Sequence, residues 1–231
     1  MRHYKTRQMT RYWMDLFNKA GGYPTNNARP RWPERSEVQP TDCRELLGDM
    51  FILDVDNDAA FYRLAGTRLC ALYGREMKND NFIDDFAEGD VRSAGNWISN
   101  LAMDEYLALI CCDAVSAQGD VVAIETIVAP LNHGGEHSRR ALGLTVPLER
   151  PYWLGAVPIA TQNIRSVRIV RPWEDDESTP EKITELAAFN REGDPLPVGA
   201  SPIHAGFSGA ALTENPMRRA HLRVIEGGRA E

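Results

Sequence analysis

Apolar residues recur at two spacings along this chain, and the switch between those spacings divides it into elements. In residues 9–20, MTRYWMDLFNKA, the residues Trp13, Leu16, Phe17 and Ala20 fall at helical spacing, with Thr10 able to cap the start and Gly21-Gly22 to end the run. Residues 23–33 are rich in Pro, Asn and Arg and read as a linker rather than packed structure. A short helix is predicted from Pro40 to Leu47, starting on a proline and stopped by Gly48. The runs MFILDVD (50–56) and FYRLAG (61–66) are rich in strand formers and flank the turn-prone NDAA, so they predict a hairpin.

After Gly66, the segment TRLCALYG places Leu69, Leu72 and Tyr73 at helical spacing, with Thr67 as a cap and Gly74 where a left-handed C-terminal cap belongs. NDNFIDDF adds a further turn of helix anchored by Phe82, Ile83 and Phe86, and Asp90 opens a longer helix with the stripe Ala94, Trp97, Ile98 and Leu101. Three strand-like runs follow at 106–115, 121–131 and 139–148. The short glycine-containing connections between them force antiparallel neighbours, because a parallel pair needs a crossover of about a dozen residues or more. A closing strand is expected around Val167 to Val170, and beyond Pro172 the chain turns acidic and then Pro/Gly-rich.

Composition narrows the function without naming it. The 231 residues suit one domain with appendages, and a formal charge of -7 lacks the basic face that nucleic-acid binding needs. No apolar run is long enough to span a bilayer and the basic start lacks the apolar core of a signal peptide, so a cytoplasmic protein with no membrane span is expected. Arg2, Lys5, Arg7 and Arg11 ahead of Trp13 and Phe17 also fit an amphipathic helix on a membrane surface, although a helix docked by its aromatic face explains the same residues. Cys43, Cys70, Cys111 and Cys112 lack Cys-x-x-Cys spacing and read as reduced, structural thiols; in a strand Cys111 and Cys112 point to opposite faces.

The order of hairpin, short helices, longer helix and meander is that of a PAS domain. The block FYRLAGTRLCALYGREMKNDNFIDDF, with LLGDMFILDVD before it and Glu125, Ala129-Pro130-Leu131 and LGLTVPL after it, resembles a family of mostly single-PAS proteins from alphaproteobacteria. The resemblance spans roughly residues 9–172. It implies an α+β fold, a five-stranded antiparallel sheet with helices over one face around a small cavity, plus an N-terminal helix and a C-terminal tail. The division that follows is 1–36 for the helix and linker, 37–172 for the PAS-like domain, and 173–231 for a partly disordered tail. It also implies a regulator rather than a catalyst, and dimerisation through a flanking helix. Trp13, Leu16 and Phe17 are the anchors for such a helix, unless they cover the protein's own sheet.

Haem needs an axial ligand, and residues 91–103 hold no histidine; His3, His133, His137, His204 and His221 fall in the N-terminal arm, a loop and the tail. Cys70 in RLCAL lacks the neighbours of a photoactive flavin site, so haem and flavin are disfavoured and the cofactor is left unassigned. His133, Glu136 and His137 resemble a metal set, but Gly134-Gly135 opposes the helix that would bring them together. Ser208 in HAGFSGAAL misses the nucleophile elbow because Ala210 replaces its last glycine.

Glu125 lies mid-strand among Val122, Ile124, Ile127 and Val128. Turned inward it needs a donor or cation such as Arg63, or anchors a polar ligand; turned outward it meets water. The pocket candidates are therefore Leu69, Trp97, Ile98, Glu125 and Arg63. The resulting expectation is a PAS-type sensory or regulatory protein, not an enzyme, that acts through contacts with a signalling partner, as a homodimer or under a small ligand. The alternatives are a small α+β cavity enzyme using Glu125, or a ligandless dimerisation module.

Overall fold

The computed structural model describes residues 1–22, 31–56, 59–101, 106–132 and 139–170, together with the backbone of 185–189. All belong to one unit, Met1–Ala200. The helices are α1 (Tyr4–Lys19), α2 (Thr67–Tyr73) and α3 (Val91–Leu101), and a 3₁₀ turn spans Phe82–Asp85. The strands are β1 (Met50–Asp56), β2 (Ala59–Ala65), β3 (Leu107–Ser116), β4 (Val121–Asn132), β5 (Arg139–Pro147), β6 (Ile159–Val170) and β7 (Glu185–Phe189). They form one antiparallel sheet in the order β2-β1-β5-β4-β3-β6-β7.

The hairpin and the three-strand meander are as the pattern predicts. The strand count is not: β6 runs twelve residues rather than closing at 167–170, and β7 falls inside the stretch expected to be tail. The fold is α+β and PAS-like, with seven strands where five were expected.

Strand alternation gives the sheet two buried faces, because successive side chains point to opposite sides. Phe51, Leu53 and Val55 of β1, Ile110 and Cys112 of β3, Val122, Ile124 and Val128 of β4 and Ala141 of β5 join one core with α2, the 3₁₀ turn and α3. Met50 and Ile52, Leu107 and Leu109, Ile127, Ala129 and Leu131, and Leu142, Leu144 and Val146 join a second core with α1 and with Val38, Cys43 and Leu46. Helices thus cover both faces, not one. The second layer is α1 itself, whose Met9, Trp13, Leu16 and Phe17 are all buried, with the indole of Trp13 donating to the carbonyl of Pro130 at 2.9 Å. Trp32, expected in an unpacked linker, lies against the rings of Trp13 and Phe17.

Local corrections have physical causes. α1 begins five residues before Met9; Thr10 sits mid-helix, donating to the carbonyl of Thr6 at 2.9 Å, and His3 is the cap, its Nδ1 accepting from the amide of Lys5. Burial, and then the neighbouring Lys5 cation, hold the His3 imidazole below its ordinary pKa, in keeping with an accepting nitrogen. The Pro40–Leu47 stretch folds as successive turns rather than a helix. Gly66, not Thr67, is the residue before α2, with an extended backbone at φ -72°. Glycine is required there because a Cβ would meet the carbonyl oxygens of Leu47 and Gly48 at 2.2 and 2.4 Å. That approach lets the Gly48 carbonyl accept the amides of Arg68 and Leu69, at 2.8 and 3.0 Å, capping the helix from a distant turn. Gly74 does adopt the left-handed cap expected of it, at φ 62°.

Candidate functional site

The inner core brings Leu69, Trp97 and Ile98 together. What surrounds them is aromatic. Phe82 stands edge-on to Trp97 with ring centres 6.0 Å apart and edge-on to Phe86 at 5.3 Å, while Phe51 contacts both Phe82 and Tyr62 at 5.6 Å. Phe51 reaches this place because Gly143 faces it across the sheet, where a Cβ would meet the ring at 2.1 Å. Polar groups interrupt the apolar packing: the Thr126 and Thr145 hydroxyls bond each other at 2.8 Å, and the indole nitrogen of Trp97 is buried without a partner among the described residues.

Glu125 and Arg63 are not part of this set. The odd-numbered positions of β4 face α1, so Glu125 lies on the opposite side of the sheet from Trp97, wholly buried. It neither lines the inner pocket with Arg63 nor meets water, but it has the donors that a buried carboxylate needs. Its carboxylate accepts the backbone N–H groups of Arg2 at 2.8 Å and His3 at 3.1 Å, and the hydroxyl of Thr6. The sheet thereby supplies an anion to the positive end of α1, where unpaired amides and the helix dipole favour negative charge. Arg63 is exposed on β2 at the register shift that pairs Ile52 with Leu64 but Leu53 with Tyr62.

A second buried carboxylate works beside the first. Asp49 ends the turn that leads into β1 and receives Lys5 of α1 at 2.5 Å and Arg68 of α2 through two nitrogens, at 2.8 and 2.7 Å. Burial alone would raise its pKa, but the bonds from Arg68 and Lys5 outweigh burial and hold it below the usual carboxylate range. One carboxylate therefore ties the helix on the outer face to a helix that packs into the inner core.

The third cluster was absent from the sequence reading. Asp85, at the end of the 3₁₀ turn, is buried and accepts the Tyr62 hydroxyl at 2.9 Å and the Arg75 guanidinium at 2.5 Å; Arg75 also holds Asp80 at 2.9 Å. Desolvation lifts the Asp85 carboxyl to a pKa of about 6 despite the pull of Tyr62 and Arg75. The sequence signal was a pair of acids, Asp84 and Asp85, between Ile83 and Phe86 in a short apolar turn.

The anchors Trp13, Leu16 and Phe17 are filled by the chain's own sheet, the second of the two arrangements considered for them. Cys43, Cys70, Cys111 and Cys112 are free, and Cys112 joins the inner core while Cys111 pairs across from Glu125. The His133, Glu136 and His137 loop, Ser208 and the other tail positions lie outside the described residues. Among the described residues no cluster of His, Cys, Asp and Glu has the make-up of a metal site, and no helix is long and apolar enough to cross a membrane.

Comparison with known proteins places this geometry. A family described as PAS domain matches residues 1–146, a span that includes α1 as well as β1 to β5. No curated protein matches the chain. Among solved structures it is similar to the PAS domain of an HTR-like protein from Haloarcula marismortui, at 17% identity over 46% of this chain and 90% of that one. The TM-score of that pair is 0.35, too distant a likeness to carry an inference.

Proposed function

Because this chain belongs to the PAS-domain family, whose members are sensory and regulatory modules, we propose that it regulates a protein partner by contact and that the seating of α1 is its output. The observation that supports this reading is the shared carboxylate of Asp49. With Lys5 on one side and Arg68 on the other, a change in how α2 packs against the inner core is felt at the first turn of α1 without a covalent step. A ligand or partner shifts such a pair of states only through different affinities for them. The setting of this activity is the cytoplasm, the partner is a signalling protein, and the assembly is a dimer or a complex formed through the outward side of α1. A cavity enzyme using Glu125 loses its rationale, since that carboxylate is wholly buried and engaged by Arg2, His3 and Thr6.

The test uses the full chain carrying a photo-crosslinking residue at the exposed positions Arg11 or Asp15 of α1, with Tyr152 as a distant control. A protein captured from the α1 positions, and captured several-fold less when Asp49→Asn is added, supports the reading. Capture that is equal from Tyr152, or unchanged by Asp49→Asn, sinks it.

A further inference from the structure

Asp85 is a buried carboxylate whose bonds go to Tyr62 and Arg75 and not to α1. It sits where three pieces of chain meet: Tyr62 of β2, the connection after α2 that carries Arg75 and Asp80, and its own 3₁₀ turn. The backbone here is held by main-chain bonds around the buried side chains of Met77, Phe82, Ile83 and Phe86. Asn79 and Asp80 exchange main-chain hydrogen bonds with Tyr62 at 2.8 and 2.9 Å, Asn81 bridges to Phe61, and Ala87 donates to the carbonyl of Gln162 at 2.8 Å. Between those attachments, the side-chain ties of Asp85 fasten the segment. Its carboxylate is buried, yet the one cation that neutralises it is not: the Arg75 side chain is 41% exposed and divided between Asp85 and Asp80.

We propose that Asp85 is a proton-operated latch on the 75–90 segment, closed more firmly when its carboxyl is neutral and loosened when it is ionised. Ionised, the group is a buried anion dependent on a surface guanidinium and one phenol. Neutral, it keeps the bond with Tyr62, loses its desolvation cost, and leaves Arg75 to Asp80. The titratable and charged groups that face it are Tyr62 from β2, Arg75 and Asp80 from the connection, and Tyr73 from α2. Asp84 on the same turn is engaged with Asn81 at 3.0 Å. Burial, then Asp85 itself, hold the Tyr62 phenol well above its ordinary value, so it remains a donor across the whole range.

The latch is mechanically connected to the inner core. Tyr62 contacts Phe82 at 5.7 Å, and Phe82 and Phe86 both stand against Trp97 of α3. Opening of the turn therefore disturbs the packing of β2 and α3 together. This proposal is independent of the role given to α1, because its readout is local opening alone.

The direction follows from linkage. Opening returns Asp85 to water and to the ordinary carboxyl value of 3.8, whereas the closed segment holds the proton up to about pH 6. The closed form therefore binds more protons between those limits and is favoured as pH falls through them.

Hydrogen exchange on the full chain, corrected for intrinsic rates, should run about tenfold faster at pH 7.5 than at pH 5.0 in peptides from 75–90. Peptides from β4 serve as the control and should stay level. Asp85→Asn should flatten the difference to within about twofold while leaving β4 protection as it was. The idea is overturned by a wild-type segment indifferent to pH, or by an Asp85→Asn chain that keeps the full difference. Should that variant not fold, the wild-type carboxyl is followed by carbon-13 resonance: a midpoint near 6 supports the latch, and one at or below 4 removes it.

Discussion

Replacing Glu125 separates the polar clasp of α1 from its hydrophobic seat. The carboxylate holds three donors, the amides of Arg2 and His3 and the Thr6 hydroxyl. A hydrogen bond to a charged group is worth about 1.5–3 kcal/mol net. The loss in Glu125→Ala falls short of the sum of three, because Arg2 is exposed and its amide recovers water, while the Thr6 hydroxyl also has the His3 carbonyl at 2.7 Å. A total near 3 kcal/mol is expected for Ala and about 2 kcal/mol for Gln, whose amide oxygen serves one donor while its NH₂ confronts another. The apolar seat is untouched: Met9, Trp13, Leu16 and Phe17 stay buried, each worth roughly 1.5–3 kcal/mol. The helix should therefore fray from its first turn rather than leave the sheet. Exchange of amides in residues 4–9 should accelerate about a hundredfold in Glu125→Ala, with those of 13–19 changed by less than about fivefold. Urea unfolding gives the global cost. A Glu125→Gln chain within about 0.5 kcal/mol of wild type, with its first turn equally protected, would refute the assignment of this carboxylate to α1.

Three further outcomes test the rest of the architecture. Gly66→Ala should cost about 3 kcal/mol in urea unfolding, since its Cβ would press on two backbone carbonyls that no rotamer change can move. Trp13→Phe should cost about 2 kcal/mol, as it gives up the bond to Pro130 as well as ring area in the outer core. Asp49→Asn should alter acid unfolding in the opposite sense to Asp85→Asn. The lowered carboxyl of Asp49 stabilises the fold above its unfolded value and loses that contribution as pH falls through the folded one, so the variant should lack a component of unfolding below about pH 4.

What the sequence made legible was whatever local rules decide. Periodicity located α3 and its stripe of Ala94, Trp97, Ile98 and Leu101, all buried, and the glycine at 74 announced the end of α2 through its own backbone requirement. The meander followed from short connections that leave antiparallel pairing as the only geometry available. The misses share a cause of another kind. Gly66 has an ordinary backbone conformation, and its necessity comes from carbonyls 18 and 19 positions earlier in the chain. The first turn of α1 is hard to read locally because its cap is His3, which is not among the favoured capping residues, and the carboxylate that accepts the amides of Arg2 and His3, Glu125, is more than a hundred residues away.

Glu125 itself shows why direction along a strand was the wrong question to ask alone. Alternation sets Glu125 on the opposite side from Ile124 and Thr126, but whether that side means water or core depends on whether α1 covers the sheet. A helix with Trp13 and Phe17 on one stripe and no visible partner in the sequence had two destinations, another protein or its own sheet. The single acid on β4 discriminates between them in hindsight: a carboxylate in an otherwise apolar strand makes physical sense only beneath something that brings donors, and the open end of a helix brings them already aligned. The same argument gives Asp49 and Asp85 their meaning. Each is an acid placed where burial would be costly unless distant segments arrive with a cation or hydroxyl, and each thereby makes the packing of those segments interdependent. Apolar layers alone would hold the sheet between its helices. Asp49, Asp85 and Glu125 make the position of one helix or turn register at another, which is the property that the proposed regulation by contact needs.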